Sequence, residues 1–145
     1  MIENDFAGVA DRIKALFVDY LVMVLLMFAA SQILSGIEPV PDFARPAALI
    51  FVLLLYDPVF TSAFGGTIGH MMIGIRVKQE NDQTRNLLFP IAVIRYLVKQ
   101  FLGIISLFVI YSNDKRQAIH DYLANSVVIV HNKKPEDINE SLETE

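Results

Sequence analysis

Three apolar runs, residues 13–34, 47–64 and 87–111, constrain this chain more than anything else in it. Each is near or above the roughly 18 residues an apolar helix needs to cross a bilayer. No water reaches the bilayer core to satisfy backbone N–H and C=O groups, so such runs fold as helices. With 145 residues, the chain has room for one domain built on them. The first run does not read as a cleaved signal peptide. It exceeds the roughly 7–15 apolar residues of such a segment, and two further runs follow it.

Charges inside these runs carry most of the functional information. Asp19 lies in the first, Asp57 in the second, and Arg95 and Lys99 in the third. Each costs about 2.5–3.5 kcal/mol near a helix centre on insertion scales. Such residues face a protein interior or a water-filled cavity, and they mark working parts of membrane proteins.

Composition narrows the alternatives. There is no cysteine, so disulfide and thiolate chemistry are excluded. The net charge of −4 comes from one end: Glu136, Asp137, Glu140, Glu143 and Glu145 lie in the last ten residues. Residues 132–145 have no apolar periodicity and read as an acidic, disordered tail. No basic stripe or aromatic platform supports nucleic-acid binding. No nucleophile–base signature supports an enzyme, and Gly65, Gly66 and Thr67 lack the Lys-Ser/Thr of a phosphate loop. No cofactor is implied.

Helix 1 is expected from Val9 or Ala10 to about Leu34, ended by Ser35 and Gly36, with Pro39 and Pro41 keeping the next loop out of helix. Helix 2 starts around residues 44–46, and the Asp57-Pro58 pair is expected to interrupt or kink it. The Gly-rich residues 65–74 read as a tight turn and a short interfacial helix capped by Thr67. Residues 75–79 alternate as a strand does, and residues 126–130 form a second strand-like stretch. Residues 117–124 suit a short amphipathic helix.

Topology brings a conflict. Arg12 and Lys14 flank the first run, Arg76, Lys78 and Arg85 lie between the second and third, and only Arg45 lies between the first and second. The positive-inside rule then puts the N-terminus and the second loop in the cytoplasm. Three straight crossings place the C-terminus outside, although Lys115, Arg116, Lys133 and Lys134 favour the inside. Each strand is too short to be stable alone, and pairing them requires both on one side. One solution bends the third run near Gly103 into a re-entrant or interfacial hairpin; the other is a single straight crossing.

Asp19 follows Arg12 by seven residues, two helical turns, so both point the same way about 10 Å apart. Asp19, Asp57 and Arg95 come out at similar depth, about 9–12 Å from one face. Arg95 and Lys99, four apart on one helix face, repel unless carboxylates face them. The expectation is one intramembrane network of Arg12, Asp19, Asp57, Arg95 and Lys99. It reads either as a cation or proton site or as a fixed salt-bridge clamp between helices.

These residues resemble the RDD family of small bacterial membrane proteins, named for an Arg and an Asp in the first helix and an Asp near the end. Arg12 and Asp19 look like the first two, and Asp121, followed by Tyr122, Leu123, Ala124, Asn125 and Ser126, looks like the third. The stretch from Gly66, Thr67, Ile68, Gly69 and His70 to Gly74, Ile75, Arg76 and Val77 resembles the family's central segment, and Arg95 its Arg in the third hydrophobic segment. The likeness covers about residues 6–131. His70 replaces the family's central Lys, and Asn125 and Ser126 replace its Gly-Thr. The resemblance implies a transport-related role, with exchange of monovalent cations for protons proposed for some members.

His70, Arg76, His120 and Asp121 are expected to meet as a cytoplasmic polar clasp, with Asp121 accepting from backbone amides or from Arg76 or Arg116. No metal site is expected, because neither His has a partner at metal-ligand spacing. The fold expectation is an all-α integral membrane protein of three hydrophobic helical segments, the third straight or bent at Gly103. A small cytoplasmic strand pair and interfacial helices complete it. Residues 1–131 form an RDD-like membrane domain. Its expected surroundings are the lipid bilayer of the bacterial inner membrane, with several passes, a cytoplasmic N-terminus, and a homo-oligomer or a larger complex around it. The function is cation/proton or small-solute movement, or else that of a non-transporting accessory subunit.

Overall fold

In the computed structural model, residues 6–37, 41–103 and 105–131 are described. Pro39 and the expected acidic tail, residues 132–145, lie outside them.

Helix α1, Val9–Ser35, has 27 residues and is about 40 Å long at 1.5 Å per residue. Helix α2, Ala44–Phe64, has 21 residues and is about 30 Å long. Only 11 % of the most apolar stretch of α1, and 22 % of that of α2, is buried by protein. Phe17, Leu25 and Phe28 on α1 and Phe51 and Leu54 on α2 are exposed. Large apolar side chains arrayed this way around long helices call for lipid contact, and both helices are long and apolar enough to cross a membrane.

Of the interruption or kink expected at Pro58, the interruption is not seen: one helix runs from Ala44 to Phe64 with Pro58 inside it. Pro58 has no N–H to give the Leu54 carbonyl, but burial of Tyr56, Asp57, Pro58 and Thr61 by neighbouring elements holds the helix together. Beyond it Gly65, at φ 75°, takes the left-handed C-cap conformation that favours glycine. Thr67 then caps the short helix α3, Ile68–Ile73, by accepting from the His70 amide.

Strand β1, Ile75–Gln79, pairs antiparallel with β2, Ser126–Val130, from Ile75 opposite Val130 to Gln79 opposite Ser126. The N-terminal arm joins the other edge of β2, where Phe6 bridges Ile129 and the Ala7 amide donates to the Val128 carbonyl at 2.8 Å. An apolar core lies here: Ala7, Ala15, Ile75, Val77, Leu87, Ala92, Ala124 and Val128 are buried together. The sheet is therefore a foundation for the start of α1 and for the third apolar run.

That run breaks in two. Helix α4, Phe89–Leu102, begins with Pro90 in its first turn and is about 21 Å long, short of the roughly 30 Å hydrocarbon core. After Gly103 come helix α5, Ile105–Phe108, and a 3-10 turn, Val109–Ser112; the two pieces meet at 100°. Helix α6, Ile119–Leu123, leads into β2. The chain thus leaves the sheet at Gln79 and rejoins it at Ser126.

Gly103 has φ 53° and ψ −138°, a combination that side-chain-bearing residues avoid, while a Cβ there meets nothing within 4 Å among the described residues. Gly103→Ala is expected to cost about 1–3 kcal/mol from backbone strain alone. Gly36→Ala, at φ −82° with only ordinary contacts, is expected to change stability by less than about 0.5 kcal/mol. Thermal unfolding in detergent measures both; equal shifts contradict a bend that depends on Gly103.

Candidate functional site

Asp121, in the first turn of α6, is fully buried between two arginines. One oxygen, Oδ2, accepts from Arg12 Nη1 and from the Ala118 amide at 3.2 Å, while Oδ1 accepts from Arg95 Nε at 2.9 Å. Arg12 also donates through Nη2 to the Arg116 carbonyl at 2.7 Å. Burial pushes the Asp121 carboxyl up, but Arg12, Arg95 and His120 outweigh it and hold it below the usual carboxylate range. One carboxylate therefore ties α1 and α4 to α6.

Arg95 is the link to the second group. Its Nη1 lies 3.8 Å from Asp57 Oδ1. Asp57 accepts from Lys99 Nζ at 2.8 Å and from the Thr61 hydroxyl at 3.0 Å. The i, i+4 cations of α4 thus share Asp57, and Arg95 has Asp121 besides.

Asp19 stands apart from the arginines. Its Oδ1 accepts from the Tyr56 hydroxyl at 2.9 Å and the Gly69 amide at 2.7 Å, and its Oδ2 from the Thr67 hydroxyl at 2.5 Å. His70 Nδ1 lies 3.6 Å from Oδ2. Gly69 makes this possible, since an added Cβ falls 2.1 Å from the Ala15 carbonyl oxygen of α1. With nothing larger than hydrogen there, α3 presses onto α1 and offers its amide.

The expected groupings therefore change membership. Asp57, Arg95 and Lys99 come together. Asp19 pairs with neither Arg95 nor Arg12, because the folded-back α3 supplies hydroxyl and amide donors to both its oxygens. Arg12 instead joins Asp121. The expected clasp of His70, Arg76, His120 and Asp121 does not assemble as one unit. Arg76 donates to its own strand at the Ile75 carbonyl, His70 lies beside Asp19, and His120 lies 3.5 Å from Asp121. Two guanidinium groups already occupy Asp121, which leaves no place for Arg76. Among the described residues no His, Cys, Asp and Glu groups are placed to hold a metal ion.

Tyr56 and Ser106 are site residues that sequence reasoning passed over. A phenol inside an apolar run was a readable signal for Tyr56. Ser106, which bonds His120 Nδ1 at 2.7 Å, carried none.

Asp19, Tyr56, Asp57, Tyr96 and Lys99 open onto a cleft of about 340 Å³ between α1, α2 and α4, whose remaining wall includes Met23, Met27 and Leu53. Lys99 is the most exposed member of the charged chain, at 19 % of its side chain against 2 % for Arg95.

Asp121→Asn is expected to destabilise the protein by about 3–5 kcal/mol, since it leaves buried guanidinium charge uncompensated. A loss below about 1 kcal/mol in detergent unfolding contradicts the clamp. Acid has its own signature. Burial and the nearby Arg95, Lys99 and Arg12 push the His120 ring down to about 3, overriding the attraction of Asp121. The unfolded chain takes up that proton below about pH 6.5. Stability is therefore complete above that value and falls as the pH drops from about 6.5 toward 3, by at most about 1.4 kcal/mol per pH unit for this histidine. His120→Gln is expected to flatten that slope, and an unchanged slope in the variant counts against it.

The sequence model of the RDD family matches residues 6–125. An uncharacterized membrane protein, YteJ of Bacillus subtilis (strain 168), is 30 % identical over 140 residues, covering 89 % of this chain and 84 % of that protein. No solved structure matches. The family match spans the N-terminal arm, both long helices, the bent segment and α6, so this chain is a membrane protein that belongs to the RDD family.

Proposed function

We propose that this protein moves a monovalent cation or a proton through the cleft between α1, α2 and α4, with Asp57 as the exchanging carboxylate. One observation carries the reading: Asp57 lines that cleft, and its closest charged partner is the flexible Lys99. When the Lys99 ammonium swings aside, it frees a carboxylate oxygen in a low-dielectric setting, where a small cation or a proton takes its place. Asp19 presents a second carboxylate to the same space, held by Tyr56, Thr67 and Gly69. The protein acts in the bacterial inner membrane with its N-terminus in the cytoplasm. Helices α1 and α2 cross, and the third run re-enters, so the sheet and both flanks of that run share the cytoplasmic side. The return of the chain from Gln79 to its strand partner at Ser126 supports this topology. So small a chain encloses a pathway best as a homo-oligomer.

A second reading makes it a non-transporting accessory or assembly subunit of a larger membrane complex, with the charges as clamps. The observation in its favour is charge balance. Asp19, Asp57 and Asp121 stand against Arg12, Arg95 and Lys99, and every carboxylate has hydrogen-bond donors.

Reconstitution in liposomes under pH and cation gradients separates the two. Gradient-driven cation or proton flux is expected from the wild type, and Asp57→Asn is expected to lower it about tenfold or more by removing the charge that attracts the ion. Absence of flux from folded wild type, with a stable copurifying partner, supports the accessory reading instead. For the topology, single cysteines placed in this cysteine-free chain by Arg85→Cys and Asp114→Cys are expected to react with an impermeant reagent from one and the same side. Reaction from opposite sides contradicts the re-entrant run.

A further inference from the structure

We propose that the cavity beside Arg95 binds a small monovalent inorganic anion of the halide class, taken up together with one proton on His70. The cavity has a volume of about 100 Å³, and Arg12, His70, Arg95, Lys99 and His120 line it, with no carboxylate lining it among the described residues. This space is ample for a halide ion, since about 10–15 Å³ measured in the same way holds one water.

Two polar groups on its lining residues have unused hydrogen-bonding capacity. Arg95 is 1 % exposed, and among the described residues its Nη1 has no hydrogen-bond partner, because Asp57 Oδ1 at 3.8 Å is beyond hydrogen-bond reach. A buried guanidinium N–H left bare is costly, so a small shift of the Arg95 side chain toward an acceptor in the cavity is favoured. The second group is His70 Nε2. The Thr67 hydroxyl donates to Asp19, so it accepts from His70 Nδ1, which fixes the proton of the neutral ring on Nδ1. Nε2 then presents a lone pair and makes no hydrogen bond among the described residues. It repels an anion until it is protonated, and then it donates.

Charge balance couples the two events. Around the cavity, Arg12 and Arg95 face Asp121, Arg95 and Lys99 face Asp57, and His70 faces Asp19. Three fixed cations against three carboxylates leave the cluster neutral, so an entering anion calls for one added proton. His120 is a poor recipient: its Nδ1 is engaged with Ser106, and Arg12, Arg95 and Lys99 oppose its charging. His70, in contact with Asp19, is the site that gains most. Burial, Lys99 and Arg95 push its ring below the ordinary histidine range against the pull of Asp19 and Asp57.

The site shares Leu16, Lys99 and Gln100 with the larger cleft, but the inference does not depend on cation movement there. The test uses bromide as the probe on purified full-length protein. Crystals grown in bromide are expected to show an anomalous peak in this cavity, beside the Arg95 guanidinium. Bromide titrated against gluconate at constant ionic strength is expected to bind more tightly as the pH falls from 8 to 6, by up to about tenfold per unit for one coupled proton. His70→Lys supplies a permanent charge and is expected to bind bromide with no pH dependence. Should that variant misfold, wild-type titrations in two buffers of different ionisation enthalpy count the protons directly, with about one per bromide expected. No peak, together with equal stability in bromide and gluconate, overturns the site. Bromide binding with no proton uptake overturns the role of His70.

Discussion

The structure depends on one buried carboxylate, Asp121, held between Arg12 of α1 and Arg95 of α4. A fully buried charge is tolerated only when it is paired and its remaining lone pairs are satisfied. Asp121 meets that condition with two guanidinium groups and the amide that opens its own helix. It thereby joins three elements that the bilayer alone does not hold together. Between apolar helices, lipid competes with protein on nearly equal terms, so polar contacts and close backbone approach decide which helices meet. Both devices are present: the Asp121 cluster at the sheet end of α1, and the Gly69 contact that lets α3 bring its amide to Asp19.

These contacts explain why so small a membrane protein carries a two-stranded sheet. An isolated pair of five-residue strands is unstable in water. Here β2 gains the N-terminal arm on its second edge and an apolar core beneath it. The sheet in turn fixes the start of α1, which places Arg12 where Asp121 can take it. Sheet, arm and arginine cluster are one mechanical unit, and α1 and α2 extend from it with apolar surfaces bare to lipid.

Much of this was readable from residue order. The strand pair followed from alternation at residues 75–79 and 126–130, and the bend of the third run from loop charges together with Gly103. Partner choice was less legible. Counting residues along helices gives height but not rotation, so Asp19 and Arg95 looked equally available to each other. What decides is α3, which folds onto α1 and fills both oxygens of Asp19 with local donors. The Arg12–Asp121 pair spans 109 residues of sequence, and nothing short of the closed fold brings its members together. The interruption that Pro58 suggested is absent for a related reason: as a local signal it can break a helix, but buried neighbours carry α2 through it.

The claim that Asp121 holds α4 to α6 through Arg95 is tested most directly by a double-mutant cycle. Arg95→Gln, Asp121→Asn and the double variant are compared with wild type by reversible unfolding in one detergent. The account predicts a coupling energy of about 1.5–3 kcal/mol, because the double variant removes both halves of a pair whose single loss strands the other charge. Strict additivity of the two single effects contradicts it.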